Sequence, residues 1–212
     1  MKWEEFIRKV QGLSVVETEL LLAGGADPAV LQVQISRWAK AGKLIPIRRG
    51  WYLLAEPYRK TPLVETALAG LLCAPSYVSM EMGLEWHGLI PDATAMVTSV
   101  TTRRPARFVT PVGTFDYRHI QPSLFWGYTQ VTIRSQTAMI ALPEKALLDI
   151  VYLRHVSVSE DYLRELRLQQ LSRFNLKRLM GFARRFGYPR ILLAAGEIRR
   201  YVVKARKEER AR

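Results

Sequence analysis

The polar candidates for acid–base, nucleophilic or metal chemistry are Glu81, His87, Asp116, His119, Glu144, Lys145, Asp149 and His155. Zinc demands clustered His, Cys or carboxylates, and neither HExxH nor CxxC occurs. The phosphate-cradling patterns GxxxxGK[ST] and GxGxxG are missing, as is the GxSxG elbow. A magnesium nuclease would hold Asp and then Glu-x-Lys on adjacent strands. Asp116 falls on an expected strand, but Glu144 and Lys145 are neighbours that open a helix after Pro143. Successive helical side chains diverge by about 100°, so this pair does not converge on one ion. Glu144 reads instead as a first-turn carboxylate complementing the helix dipole. His87 reads as a capping or packed histidine at a helix end, and His119 as a strand residue paired across a sheet. A nucleotidyltransferase would need a Gly-Ser helix followed by a paired-acid strand, and neither is found. The expectation is a protein that is not an enzyme, with no catalytic residue, no metal and no cofactor.

The elements point to recognition rather than catalysis. Residues 27–54 read as a helix, a turn and a tight basic hairpin. Asp27 is a good N-cap, Pro28 suits the first helical position, and Gly42 supplies the stop after Ala41. Leu44, Ile45 and Ile47 predict one strand; Arg48, Arg49 and Gly50 the turn; Trp51 to Leu54 the return strand. At 3.6 residues per turn, Leu31, Ile35, Trp38 and Ala39 share one side of the helix, and Gln32, Val33, Ser36, Arg37 and Lys40 the other. Upstream, Trp3, Phe6, Ile7 and Val10 predict a first amphipathic helix, and Glu17 to Leu22 a short second one ended by Gly24-Gly25. This is the pattern of a winged helix-turn-helix, a module that lays its recognition helix in the major groove of duplex DNA. Arg and Gln can bond base edges bidentately, while Ser36 and Lys40 suit phosphates. Arg48 and Arg49 at the wing tip would reach backbone or the minor groove.

Composition agrees with that partner class. Over 212 residues the formal net charge is +13. An excess of this size favours a polyanion by long-range steering, with nucleic acid first, an acidic protein second and a membrane surface third. Charge alone is blind to sequence and is screened by salt. Hydrophobic residues make up 49% of the chain, enough for a packed core. No run approaches 18 apolar residues, so no membrane span is expected. The start, MKWEEFIRKV, is amphipathic and carries two acidic residues, unlike a secretory signal. One cysteine, Cys73 in an apolar run, cannot form an internal disulfide and fits a reducing cytoplasm.

Along the rest of the chain, PYRKT (57–61) reads as a linker. Expected elements are a helix over 62–72, a short strand at Tyr77 and Val78, and a helix over 80–87 broken by Gly88, Pro91 and Asp92. Strands follow over 96–102, 107–120 (a hairpin turning at Pro111 to Gly113), 125–133 and 137–142. Helices then cover 144–154, 159–168, 175–186 and 189–207, and the charged tail KARKEERAR reads as a frayed end. The chain is therefore expected to divide into a winged helix-turn-helix, 1–58, and an α/β (α+β) domain, 59–212, with a small, mostly antiparallel sheet and a helical C-terminal half. The last helices are rich in arginine (Arg164, Arg167, Arg173, Arg178, Arg184, Arg185, Arg190, Arg199, Arg200). That pattern fits a solvated face over a core, a second nucleic-acid surface, or a dock for an acidic partner.

Four stretches carry a family resemblance. YVSMEMGLEWHGLIPD (77–92), VTSVTTRRPARF (97–108), GTFDYRHI (113–120) and ALPEKALLDIVYL (141–153), with the basic GWYLL hairpin before them, resemble the AbiEi family. These are antitoxins and transcriptional regulators of type IV toxin–antitoxin (abortive infection) systems. The resemblance covers roughly residues 1–155. It implies a winged helix that binds inverted repeats upstream of its own operon and represses it. It also implies a second domain that counteracts a nucleotidyltransferase-like toxin, AbiEii, without requiring a stable complex. Carried over, operator contacts would come from Gln32, Val33, Ser36, Arg37, Lys40, Arg48 and Arg49. In the second domain the resemblance marks Glu81, His87, Arg103, Arg104, Tyr117, Arg118, His119, Glu144 and Lys145, with Arg103, Arg104, Arg118, His119 and Lys145 as the candidates for function there. Two alternatives stay open: a nuclease-like enzyme guided by the winged helix, and a non-specific RNA binder using the arginine-rich helices.

Overall fold

The computed structural model describes residues 1–25, 27–91 and 96–211. The chain begins with α1 (Trp3–Val10), β1 (Val16–Glu17), α2 (Thr18–Ala23), α3 (Pro28–Lys40) and the hairpin of β2 (Leu44–Arg48) and β3 (Trp51–Leu54). Local chemistry sets the bounds of α3. The Asp27 carboxylate accepts from the Val30 amide at 2.9 Å, and Pro28 occupies the first turn, where its missing amide is not needed. At the other end Gly42 turns left-handed (φ +68°). Its amide then donates to Ala39, and that of Lys43 to Trp38, which completes a Schellman stop. The strands form an antiparallel sheet in the order β1-β3-β2. Three helices backed by this hairpin make a winged helix-turn-helix. Phe6, Val10, Val16, Leu31, Ile35, Leu44 and Leu54 form its core. Trp38 closes that core, with its ring 4.6 Å from Phe6 and 5.1 Å from Trp3.

The larger part contains α4 (Glu65–Leu72), β4 (Ser76–Val78), α5 (Met80–Trp86), β5 (Met96–Thr101), β6 (Ala106–Thr110), β7 (Gly113–His119), β8 (Tyr128–Ile133) and β9 (Gln136–Ala141). The helical half follows: α6 (Pro143–Arg154), α7 (Glu160–Glu165), α8 (Leu176–Phe186) and α9 (Pro189–Ala211). Its strands make one sheet of six, ordered β6-β7-β5-β4-β9-β8. The β6–β7 pair is the antiparallel hairpin expected over 107–120, and β8–β9 and β4–β5 are also antiparallel; β5–β7 and β4–β9 are parallel, so the sheet is mixed. Strand alternation gives the sheet two buried faces. Tyr77, Val100 and Ala141 face the core formed with α5, α6, α8 and α9. Val78, Val97, Phe115 and Ile140 face α4 and also Val15, Ile47 and Leu53 from the back of the winged helix.

Several boundaries differ from those expected, each for a local reason. Residues 62–64 precede the helix and α4 starts at Glu65, with Val64 in β conformation at its N-cap. Arg167 and Gln170 adopt positive φ (+52° and +50°), which ends α7 early. β1 is too short to leave a periodicity signal. The basic tail, expected to fray, is helical through Ala211, and Arg206 anchors it by donating to the Leu171 carbonyl at 2.6 Å. Gly88 (φ +67°) stops α5 as expected; Asp92, also assigned to that break, lies outside the described residues.

Candidate nucleic-acid interface

The α3 helix turns Leu31 and Ile35 inward, each 1% exposed. Opposite them, Gln32, Val33, Ser36, Arg37 and Lys40 are all exposed. The five side chains expected on one face therefore share it, and Val30 adds a further exposed apolar surface. Neither Arg37 nor Lys40 forms an ion pair among the described residues. Such a face offers a bidentate donor (Arg37), an amide that both donates and accepts (Gln32), a point charge and hydroxyl for phosphate (Lys40, Ser36), and apolar area for a thymine methyl (Val30, Val33).

The wing divides its two arginines. Arg49 is exposed in the turn beside Gly50, whose φ of +80° gives the hairpin its reversal. Arg48 does not sit at the tip, which corrects the expectation for it. The β2–β3 register shifts between Pro46 and Arg48, so Arg48 joins the strand and pairs with Trp51. Pro46 has no amide to donate and is tolerated because β2 is an edge strand. The shift turns Arg48 toward the larger part of the molecule. There its Nη1 donates to the Leu72 carbonyl at 2.7 Å, and its guanidinium lies 4.9 Å from the Trp51 ring and 5.8 Å from that of Phe108.

Of the second set, Arg103, Arg104, Arg118 and His119 are exposed. Parallel pairing of β5 with β7 brings Thr101 beside His119, so His119 Nδ1 donates to the Arg103 carbonyl at 2.9 Å. Arg118 Nε lies 2.6 Å from Asp116, so the carboxylate once considered for magnesium is neutralised within its own strand. Lys145, the fifth candidate for function in the second domain, is wholly buried and so lies in the core rather than on the surface. It ion-pairs with Asp149 one turn later on α6. Its Nζ also donates to Tyr77 Oη at 2.7 Å, while Tyr77 Oη and Ser79 Oγ donate to Asp149 at 3.0 and 2.7 Å. The Trp126 and Phe186 rings lie 5.1 and 4.9 Å from the ammonium. Burial pushes the Lys145 ammonium down and the Asp149 carboxyl up, each opposed by the attraction of the other, and burial raises the Tyr77 phenol. Gly127 sits against this pair, where an added Cβ would lie 3.0 Å from Lys145 Cγ.

The remaining candidates also serve the fold. Glu144 is buried on α6 and joins it to α8, accepting from the Asn175 amide at 2.6 Å and from Arg178 Nε at 2.7 Å. Glu81 pairs with Arg154, His87 Nε2 meets the Ala141 carbonyl at 2.8 Å, and His155 Nδ1 lies 2.8 Å from Arg190. Among the described residues no three His, Cys, Asp or Glu side chains are placed to hold a metal. Sequence reasoning missed Tyr77 and Ser79 as partners of the Lys145–Asp149 pair. The i,i+4 spacing of that pair was the one available signal. In comparisons with known proteins, no protein-family model and no curated protein matches the chain.

Proposed function

We propose that this protein is a sequence-specific DNA-binding transcriptional repressor of its own operon, and the antitoxin of a type IV system directed against a nucleotidyltransferase-like toxin. The observation that carries the DNA-binding reading is the exposed α3 face, with Gln32, Ser36, Arg37 and Lys40 free beside an exposed Arg49 in the wing turn. The net charge of +13 supports a polyanionic partner. Inverted-repeat operator binding and the antitoxin role rest on the resemblance of residues 77–153 to AbiEi proteins. No helix among the described residues is long and apolar enough to cross a membrane, and a cytoplasmic site of action fits a repressor.

The test is a mobility-shift titration at about 150 mM salt, where non-specific phosphate contacts are weakened. The probe is the DNA upstream of the gene, with unrelated DNA as competitor. A discrete shift that survives competitor is expected. A smear removed by competitor overturns the repressor reading and moves the weight to non-specific RNA binding. For the antitoxin role, co-expression with the protein encoded by the adjacent gene should relieve its toxicity; growth arrest unchanged by co-expression overturns it.

A further inference from the structure

Between β2 of the wing and the turn joining β5 to β6 lies a hollow of about 560 Å³. Arg48, Arg103 and Arg104 line it together with Leu71, Leu72 and Phe108, and among the described residues no carboxylate does. Arg103 and Arg104 are exposed and form no ion pair among the described residues. Their turn is fixed. The Arg103 amide donates to Thr101 Oγ1 at 3.1 Å, and its carbonyl accepts from His119 at 2.9 Å. Arg48 spends Nη1 on the Leu72 carbonyl, yet its Nε is buried and has no hydrogen-bond partner. Its positive charge adds to that of Arg103 and Arg104, and three cations with no facing carboxylate among the described residues favour an anion. The opposite character is supplied by Phe108, half-buried and packed edge-on to Tyr117 at 5.7 Å, whose hydroxyl is held by the Ala69 carbonyl.

We propose that this hollow binds a nucleoside phosphate, with the phosphate on Arg103 and Arg104 and the base against Phe108 and the exposed Leu71. Arginine forks match phosphate oxygens, an aromatic wall accepts a flat base, and the volume lies within the usual range for small-ligand sites. The proposal does not rest on the DNA-binding reading, because it is measured without DNA.

Isothermal titration of the full chain with the four ribonucleoside 5′-monophosphates, the matching nucleosides and inorganic phosphate tests it. At least one nucleotide should bind saturably, its nucleoside should not, and inorganic phosphate should bind more weakly. Arg103→Glu with Arg104→Glu should weaken the nucleotide about tenfold or more. Phe108→Ala should weaken the nucleotide and leave inorganic phosphate unchanged. Arg37→Ala on α3 should change neither. The proposal is overturned if no nucleotide saturates, if nucleoside binds as well as nucleotide, if the double variant keeps its affinity, or if Arg37→Ala abolishes the heat and so assigns it to the α3 face. Both arginines are exposed and unpaired, so the double variant is expected to fold, which its circular dichroism and melting will show.

Discussion

Arg48 and Leu72 are joined across the molecule: the guanidinium Nη1 of a wing strand donates 2.7 Å to a carbonyl in the last turn of α4. A helix leaves its last carbonyls without internal partners, so this bond satisfies a group that would otherwise need water. It also explains why two adjacent arginines in one hairpin differ in role.

Arg48→Ala should therefore lower stability by about 1–3 kcal/mol, through the lost charged hydrogen bond and the stripped contact on Trp51 and Phe108. Arg49→Ala, at an exposed turn, should stay within about 0.5 kcal/mol. Urea midpoints of the two variants measure the difference. Equal midpoints would mean that the Arg48 contact holds nothing.

Operator binding should divide along the α3 face. Arg37→Ala should cost about 1–3 kcal/mol and relax preference at one base position, while Lys40→Ala should weaken all sequences and reduce the salt slope by about 1. Neither change should alter the melting temperature, because both side chains are exposed and unpaired. Titrations at several salt concentrations separate the two effects. A uniform loss in both variants would assign Arg37 to the backbone.

The Lys145–Asp149 pair makes a stability prediction of its own. Asp149→Ala leaves a buried ammonium without its counter-ion and should cost about 3–5 kcal/mol. Lys145→Met combined with Asp149→Leu removes both charges and should cost less than Asp149→Ala alone. Chemical denaturation of the three proteins decides this. A double variant less stable than the single one would show that the ions hold the core together by more than mutual neutralisation.

Glu160 predicts an acid-sensitive contact between α7 and α9. Its carboxylate accepts from Lys204 at 2.8 Å and from Arg164 at 2.6 Å, and these partners, Lys204 first, hold it below its ordinary value of 4.5. A carboxyl with a depressed folded pKa stabilises the fold above the unfolded value, and that contribution is lost as pH falls through the folded one. Glu160→Gln should thus destabilise at neutral pH, and the difference from the parent should shrink as pH falls below 4.5 and vanish once pH has passed through the depressed folded value. The site is exposed, so the difference should be small. Melting curves across that range check the sign.

Periodicity and caps are local, and what depends on them was legible. Asp27, Pro28 and Gly42 bound α3 within a residue, and the 3.6-residue repeat put Gln32, Val33, Ser36, Arg37 and Lys40 on its open face. Most later strands and helices followed from alternation and Pro143; the cap that Asn175 makes by accepting from the Arg178 amide was seen only in the structure. Arg48 was misplaced because a bulge reverses which way a side chain points, and a one-residue register shift leaves no trace in composition. The burial of Lys145 was not legible because lysines are rarely buried, and Tyr77 and Ser79, which bond to it and to Asp149, lie far away in sequence.

What the sequence determined by itself was most of the elements, the exposed face of α3 and the positive charge, all of which arise from residues near one another in the chain. The tertiary structure alone decided that β5 and β7 run parallel, that Arg48 turns to Leu72, and that Lys145 meets Tyr77 across a sequence separation of 68 residues. Those contacts depend on which surfaces pack together. Burial then settles whether a charged side chain is a contact for a partner or a partner within the core.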